Sequence, residues 1–556
     1  MKHLRTCLTL GLFVLAGCND QAAKVAAERA RQQHDYQSRK IRVPDNFPKT
    51  TAAAKKAQPS QQSLTVIAQA YDATQSVARR TGRPEEVAVK KVAAAMRASL
   101  EVGPTLVVWI IDRTPSAQKL VTEATAAARG VYDDEDIRGL SLDGLEQLLT
   151  AVVAFDEQVE FLLDPPSDDS RDVQAAFDRL EPAEAGHEQT FTAIQQAIEK
   201  YLPLRTAAEG RREVMLVVIT DEAGEDAQLV DELAALVRRH AIPVYCLGSP
   251  APWGQVNPLA ADPKKGNPEK TDDSVPRYGP ESLASERVDI EMAGVAFSYG
   301  EREPRDFTLV DSGFGPFALE RLCRAGGGQF LPIRPDDEVQ PTFGLRTRGY
   351  WPNGNELRFW VDNLSTYAPD YVSAEEHARL VADNKARQAL LAAAQLPRLM
   401  IEERPELRFA KTNEAQMKRQ LDKAQQLAAR YAPQVDRFYE ILTAGEVDAE
   451  RLRSFRVRAE YQLAYGRVLA IKARIDGYNS MLAALKRGRT FANPDSTAWV
   501  LEPSSDFSEV ESSLRKLAEK AELYLKRVRD NHAGTPWAEI AAEELRSPLG
   551  WTWKES

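Results

Sequence analysis

Residues Thr105–Leu120 read TLVVWIIDRTPSAQKL. A nearly unbroken apolar run ends at Asp112, and two hydroxyls follow at Thr114 and Ser116. A short Val/Ile/Leu/Trp run bounded by a turn signal predicts a strand buried on both faces. The helical spacing of AQKLVTEATAAA comes directly after it. The unit is therefore strand, loop, helix, with a carboxylate placed where the strand leaves the core.

The same alternation continues along the chain. LLTAVVAF (148–155) is a second strand pattern and VEFLL a short third. TFTAIQQAIEKYL is helical, and EVMLVVITD (213–221) is a fourth strand. AQLVDELAALVRRH closes with Arg238, Arg239 and His240, which suits the negative end of a helix dipole. IPVYCLG is a fifth strand, and GPFALERLCRAGGGQFLPI gives a helix, a glycine stop and a last strand. Continuous apolar strands alternating with helices predict an α/β fold, with a doubly wound, mostly parallel sheet covered on both faces.

In such a sheet, ligands bind beyond the carboxyl ends of the strands. Asp112 ends the first strand, Asp221 ends the fourth, and Thr190 opens the helix between the third and fourth. With Thr114 and Ser116, two carboxylates and three hydroxyls come to one edge. All are oxygen donors, which suit a hard divalent cation such as Mg²⁺, with Mn²⁺ or Ca²⁺ as alternatives. Taken singly, Asp112 and Asp221 read equally well as polar caps of strand ends.

The segments IIDRTPS, QTFTAI, VVITD and AGGGQF, in this strand and helix order, resemble a von Willebrand factor A domain, a Rossmann-like fold. The resemblance covers about Pro104 to Pro335. It implies a metal-ion-dependent adhesion site. Asp112, Thr114 and Ser116 fall on the family's Asp-x-Ser-x-Ser loop, Thr190 on its threonine and Asp221 on its second aspartate. It also implies that the ion keeps a position open for an acidic group of a protein partner. One position departs from the pattern. Thr114 stands where serine is usual, and its β-branch narrows the rotamers that aim the oxygen.

Around this domain the chain divides as follows. Residues 1–17 read as a signal peptide, 18–62 as a polar tether and 63–103 as a helical lead-in. Residues 104–335 form the A-type domain, with an insertion at about 249–312 rich in Pro, Asp and Lys. Residues 336–372 connect it to a separate all-α domain at 373–556. There, Ser373 and Glu376 have capping-box spacing. Met417, Leu421, Ala424, Ala428, Tyr431, Val435, Phe438 and Leu442 step by four and three, as do Val457 through Leu485. This is a coiled-coil seam, and it predicts an antiparallel helical hairpin about 45–60 Å long. Gly445 is its expected stop, Asp448 the N-cap of the second arm, and Pro433 a kink in the first. Such a hairpin serves either as an internal bundle or as an oligomerisation or docking surface. Thr535 and Pro536 open a last helix, and Trp551 and Trp553 are expected to dock on the bundle.

The first eighteen residues, MKHLRTCLTLGLFVLAGC, carry Lys2 and Arg5, a short apolar core and small residues before Cys18. That is an export signal. Leu15-Ala16-Gly17-Cys18 resembles the lipobox of bacterial lipoproteins, which implies lipid attachment at Cys18 and an anchored place in the cell envelope. Several acyl chains hold a protein durably where one holds it marginally. The tail segments GFGPFALERLCRAGGGQF and GTPWAEIAAEELRSPLGWTW are similar to those of large bacterial von Willebrand A lipoproteins. The net charge of −10 argues against nucleic acid as a partner. No phosphate-binding loop and no Gly-x-Ser-x-Gly elbow occur, and His187-Glu188 lacks the second histidine of a zinc-protease helix. The chain thus reads as a binding protein rather than an enzyme, with an unidentified protein partner.

Overall fold

The computed structural model describes residues 83–133, 147–183, 188–251, 312–333 and 365–556, except 209, 398, 400–404, 489, 491 and 507–510. Cys18, the signal and tether, the lead-in before Arg83, His187, and most of the insertion and connector lie outside the described residues.

Six strands form one sheet in the order β3-β2-β1-β4-β5-β6. They are β1 (Thr105–Asp112), β2 (Leu148–Phe155), β3 (Val159–Ser167), β4 (Glu213–Ile219), β5 (Val244–Gly248) and β6 (Phe330–Pro332). All neighbours pair in parallel except β2 and β3, which form an antiparallel hairpin. Only Asp156–Gln158 joins that pair, and a parallel crossover needs about a dozen residues or more. The sheet is therefore mixed and mostly parallel. β3 lies at its edge, where Pro165 and Pro166 leave no ladder donor missing from the sheet interior.

The strand runs are buried on both faces because both are covered. Val107, Trp109 and Ile111 of β1 face α1 (Pro84–Val102), α2 (Gln118–Arg129) and α3 (Ser170–Asp178). Leu106, Val108 and Ile110 face α4 (Thr190–Thr206), α5 (Val230–His240) and α6 (Phe317–Gly326). The crossovers after β1 and before β4 thus lie on opposite faces. That makes the β1/β4 boundary the topological switch, where a crevice opens at the carboxyl edge. β4 stops at Ile219, so Thr220 and Asp221 belong to the loop beyond it. The two ends of the insertion meet beside this edge. Ser312 N donates to Ala251 O at 3.1 Å, and Ala251 N to Phe314 O at 2.7 Å. Cys246 and Cys323 are buried free thiols.

The C-terminal part is mainly helical. It contains α7 (Ala374–Ala382), α8 (Lys385–Ala394), α9 (Glu414–Gly445), α10 (Phe455–Lys486), α11 (Ser512–Asn531) and α12 (Pro536–Glu544). Ser373 caps α7 by accepting from Glu376 N, and Thr535 caps α12 by accepting from Ala538 N. α9 runs unbroken through Pro433 and ends at Gly445. The cap of the second arm is a correction. Asp448 sits in a 3₁₀ turn (Glu446–Arg451), where it accepts from Lys385 N and pairs with Arg451, while Ser454 caps α10. A second difference is a small antiparallel sheet within the helical part, ordered β7-β8-β9 (Arg408–Ala410, Ala498–Ser504, Gly550–Glu555). Trp551 and Trp553 do dock inward, but as alternate residues of strand β9. Helix α10 is central. Its seam residues Tyr461, Val468, Ile475 and Leu482 are buried, and so are Ala459, Leu463, Ala470 and Ala473 on other faces. Arg321 of α6 joins the two parts by pairing with Asp231 and donating to Val372 O at 2.8 Å.

Candidate metal centre

β1 carries Asp112 to the carboxyl edge and leaves its side chain inside the crevice. Thr114 N and Thr114 Oγ1 both donate to Asp112 Oδ1, at 2.8 and 2.7 Å. This tight two-residue turn fixes the loop and holds the hydroxyl inward; Thr114 is 2% exposed. Its methyl group does not displace the oxygen. Thr114 Oγ1 lies 3.1 Å from Ser116 Oγ. The Ser116 hydroxyl then reaches Asp221 Oδ1 at 3.5 Å and Glu188 Oε1 at 3.4 Å. Asp112 Oδ2 accepts from Thr220 Oγ1 at 2.7 Å, which ties β1 to the β4 loop.

Thr190 opens α4 in the same region. Gly224, at a φ of +70°, brings the β4 loop so close that a Cβ there would lie 2.8 Å from Thr190 Oγ1 and 2.7 Å from Glu188 O. A residue larger than glycine would push the loop off the helix start. Asp226 adds a clamp by accepting from Phe191 N at 3.1 Å and Thr192 N at 2.6 Å, amides of the first helical turn. Thr190 Oγ1 itself is buried with no hydrogen-bond partner among the described residues.

The arrangement is electrostatically uncomfortable without a cation. Carboxylate oxygens of Asp112, Glu188 and Asp221 lie within 4.8 Å of one another, and all three residues are buried. Burial, opposed by hydrogen bonds from Thr114 and Thr220, leaves Asp112 pushed up to about 6. Burial and the neighbouring charges of Asp112, Glu222 and Asp221 push Glu188 up to about 10, and Asp221 is held well above the usual range for the same reasons. An oxygen-only donor set, an excess of negative charge and orphaned oxygens on Thr190 and Glu188 fit a hard divalent cation. A cleft of about 570 Å³ at this end is lined by Glu157, Gln158, Gln189, Glu225 and Asp226, so acidic side chains continue around the rim.

Residues 107–274 match the family model of the von Willebrand factor type A domain. The chain carries a von Willebrand factor type A domain. The match ends inside the insertion, while the domain's sheet continues to β6 at Phe330–Pro332. Domains of this family often bind a divalent cation at a metal-ion-dependent adhesion site, and they are generally non-enzymatic modules of protein–protein interaction. No curated protein matches the chain. Similar solved structures include the ArnB paralog VWA2 from Sulfolobus acidocaldarius, at 15% identity over 27% of this chain and 35% of that one, with a TM-score of 0.18. The SpRpn10 VWA domain is 13% identical over 32% of this chain and 87% of its own, with a TM-score of 0.20. Proximal thread matrix protein 1 from the mussel byssus is 14% identical over 29% and 42%, with a TM-score of 0.21. The chain thus spans only a minor part of the first and third, and nothing about its partners follows from them.

Asp112, Thr114, Ser116 and Asp221 are therefore joined by one run of hydrogen bonds, and Thr190 stands beside them at the start of α4. Two further residues of the A domain belong to the cluster and carry no spacing signal. Thr220 precedes Asp221 at the end of a strand run, where a threonine is unremarkable. Glu188 precedes Thr190 by two residues, in a segment that forms neither helix nor strand.

Proposed function

We propose that this is a lipid-anchored cell-envelope protein whose A domain holds a divalent cation at Asp112, Thr114, Ser116, Thr190 and Asp221, and uses that edge to engage a protein partner. The observation that carries the reading is the buried convergence of oxygen donors in which Thr190 Oγ1 has no hydrogen-bond partner among the described residues. A buried hydroxyl left unpaired costs free energy that a bound cation would recover. Mg²⁺ is the first choice for such hard oxygens, with Mn²⁺ or Ca²⁺ next. The ion would supply a positive point to which a partner's acidic group is drawn. The chain's own residues orient it: Asp112 fixes the loop, Ser116 bridges towards Asp221, and α4 sets Thr190. The envelope location rests on the export signal and on Leu15-Ala16-Gly17-Cys18.

The test is a Mn²⁺ titration of the full chain, followed by capture of envelope proteins with and without EDTA. Wild-type protein is expected to take up one ion. Asp112→Asn should weaken uptake by at least about tenfold, since even outer-shell partners of a metal are worth 10–100-fold. Capture should fail in EDTA and in the variant. Partner capture indifferent to both would sink the metal-dependent reading. A second reading, in which the α9/α10 hairpin does the binding, finds less support, because the α10 seam is buried against the chain's own elements.

A further inference from the structure

The five residues assigned above provide two carboxylates. Glu188 provides a third, in a position that makes it more than a neighbour. Its backbone is held from two sides. Glu188 O accepts from Glu225 N at 2.9 Å, and the next amide, Gln189 N, donates to Asp156 O at 3.2 Å. Its side chain points inward and is 7% exposed. Oε1 accepts from Ser116 Oγ at 3.4 Å, the same hydroxyl that reaches Asp221. Oε2 is buried with no hydrogen-bond partner among the described residues. Arg113, the basic residue of the adjacent loop, is spent elsewhere, on Asp156 and Glu160. A buried carboxylate oxygen with no donor, beside the carboxylates of Asp112, Asp221 and Glu222, must take up either a proton or a cation, and the converging oxygens of Ser116 and Asp221 favour the cation.

We propose that Glu188 is itself an inner ligand of the cation, so that the chain's own carboxylate fills the coordination position through which an acidic group of a partner would bind. This rests on the cation-binding reading above and adds regulation to it. Two aspartates leave a bound divalent ion electrically neutral, and an incoming carboxylate completes it. Three carboxylates leave the site at one negative charge, which repels an incoming acid. The resting A domain is then self-masked, and an acidic partner must displace Glu188 before it can reach the ion.

The experiment uses the full chain, Mn²⁺ as the ion, and acetate as a minimal acidic ligand. Free Mn²⁺ is followed by electron paramagnetic resonance, and water on the bound ion by proton relaxation. Glu188→Gln is expected to weaken Mn²⁺ binding by about tenfold or more. It should also raise the relaxivity of the bound ion, because solvent enters the vacated position. Acetate should reverse that rise in the variant and change nothing in wild type. Glu157→Gln removes a charge from the rim of the cleft, outside the cluster, and is expected to leave relaxivity at the wild-type value. Folding is checked by melting the metal-free proteins. Glu188→Gln should melt at or above wild type, because it removes repulsion within the cluster. Equal relaxivity in wild type and Glu188→Gln, or acetate-sensitive relaxivity in wild type, overturns the role of Glu188 alone. A wild-type protein that takes up no Mn²⁺ overturns the cation-binding reading and this one with it.

Discussion

At the scale of single residues, the informative group is Thr190. Most buried hydroxyls stabilise the fold through a hydrogen bond, and replacing them leaves a donor or acceptor unpaired. The Thr190 hydroxyl is buried and has no such partner among the described residues. Thr190→Val keeps the shape and removes a polar atom that contributes nothing to the metal-free fold. Metal-free Thr190→Val is therefore expected to be as stable as wild type or more so, by up to about 1 kcal/mol, in urea unfolding with EDTA. Mn²⁺ affinity should nevertheless fall. Loss of stability in EDTA would mean that the hydroxyl serves the fold and is no ligand. Thr114 shows what a sequence pattern conveys at this scale. Its β-branch is a visible departure from serine, yet the hydroxyl still donates to Asp112 and lies beside Ser116. Glu188 was not legible, because nothing periodic leads to it. It is aimed inward by backbone bonds to Glu225 and Asp156, made across loops far apart in sequence.

At the scale of elements, the strands and helices of the A domain were legible because apolar runs of that length have few alternatives. The direction of β3 was set instead by the short link after Phe155. In the helical part, the four-and-three spacing gave α9 and α10 but not the surroundings of α10. Gly466 and Gly477 look like weak points in a helix. They are close-approach sites: a Cβ on Gly466 would lie 3.1 Å from Leu525, and one on Gly477 3.1 Å from Trp551 Cδ1. Strand β9 was missed because its six residues (Gly550–Glu555) are short and alternate like a polar tail with two tryptophans. Its register against β8 puts Trp551 and Trp553 on one face, with Trp551 opposite Pro503. Trp551 fills the groove that Gly477 leaves, packs edge-on to Tyr478 and donates its indole N–H to Arg474 O at 2.9 Å. Trp551→Ala is therefore expected to destabilise the helical part by about 3–5 kcal/mol. Urea unfolding followed by far-ultraviolet circular dichroism measures this, and a change below about 1 kcal/mol would show that β9 is peripheral.

At the scale of the whole molecule, the two parts carry buried titratable groups of opposite sign. In the A domain, burial and mutual repulsion hold Asp112, Glu188 and Asp221 above their ordinary values, Asp112 at about 6 and Glu188 at about 10. Between the ordinary and raised values the folded state binds more protons than the unfolded chain. Metal-free stability from these groups is full at acid pH and is lost as pH rises from about 4 through about 10. In the helical part, burial first and the Arg458 charge second push His532 down to about 4. Its ring nitrogens lie 2.9 Å from Tyr367 Oη and 3.3 Å from Gln462 Oε1, contacts that the neutral imidazole satisfies. Here the unfolded chain binds more protons, so stability is full above His532's ordinary value, about 6.5, and is lost as pH falls towards 4. Hydrogen exchange on the full chain in EDTA, corrected for intrinsic rates, separates the two. Going from about pH 8 to about pH 5.5, protection should rise in β1 and β4 and fall in α10 and around His532. Saturating Mn²⁺ should flatten the first trend, because the ion replaces protons as the counter-charge, and leave the second unchanged. A β1 and β4 response that persists in Mn²⁺ would mean that these carboxylates do not face the ion.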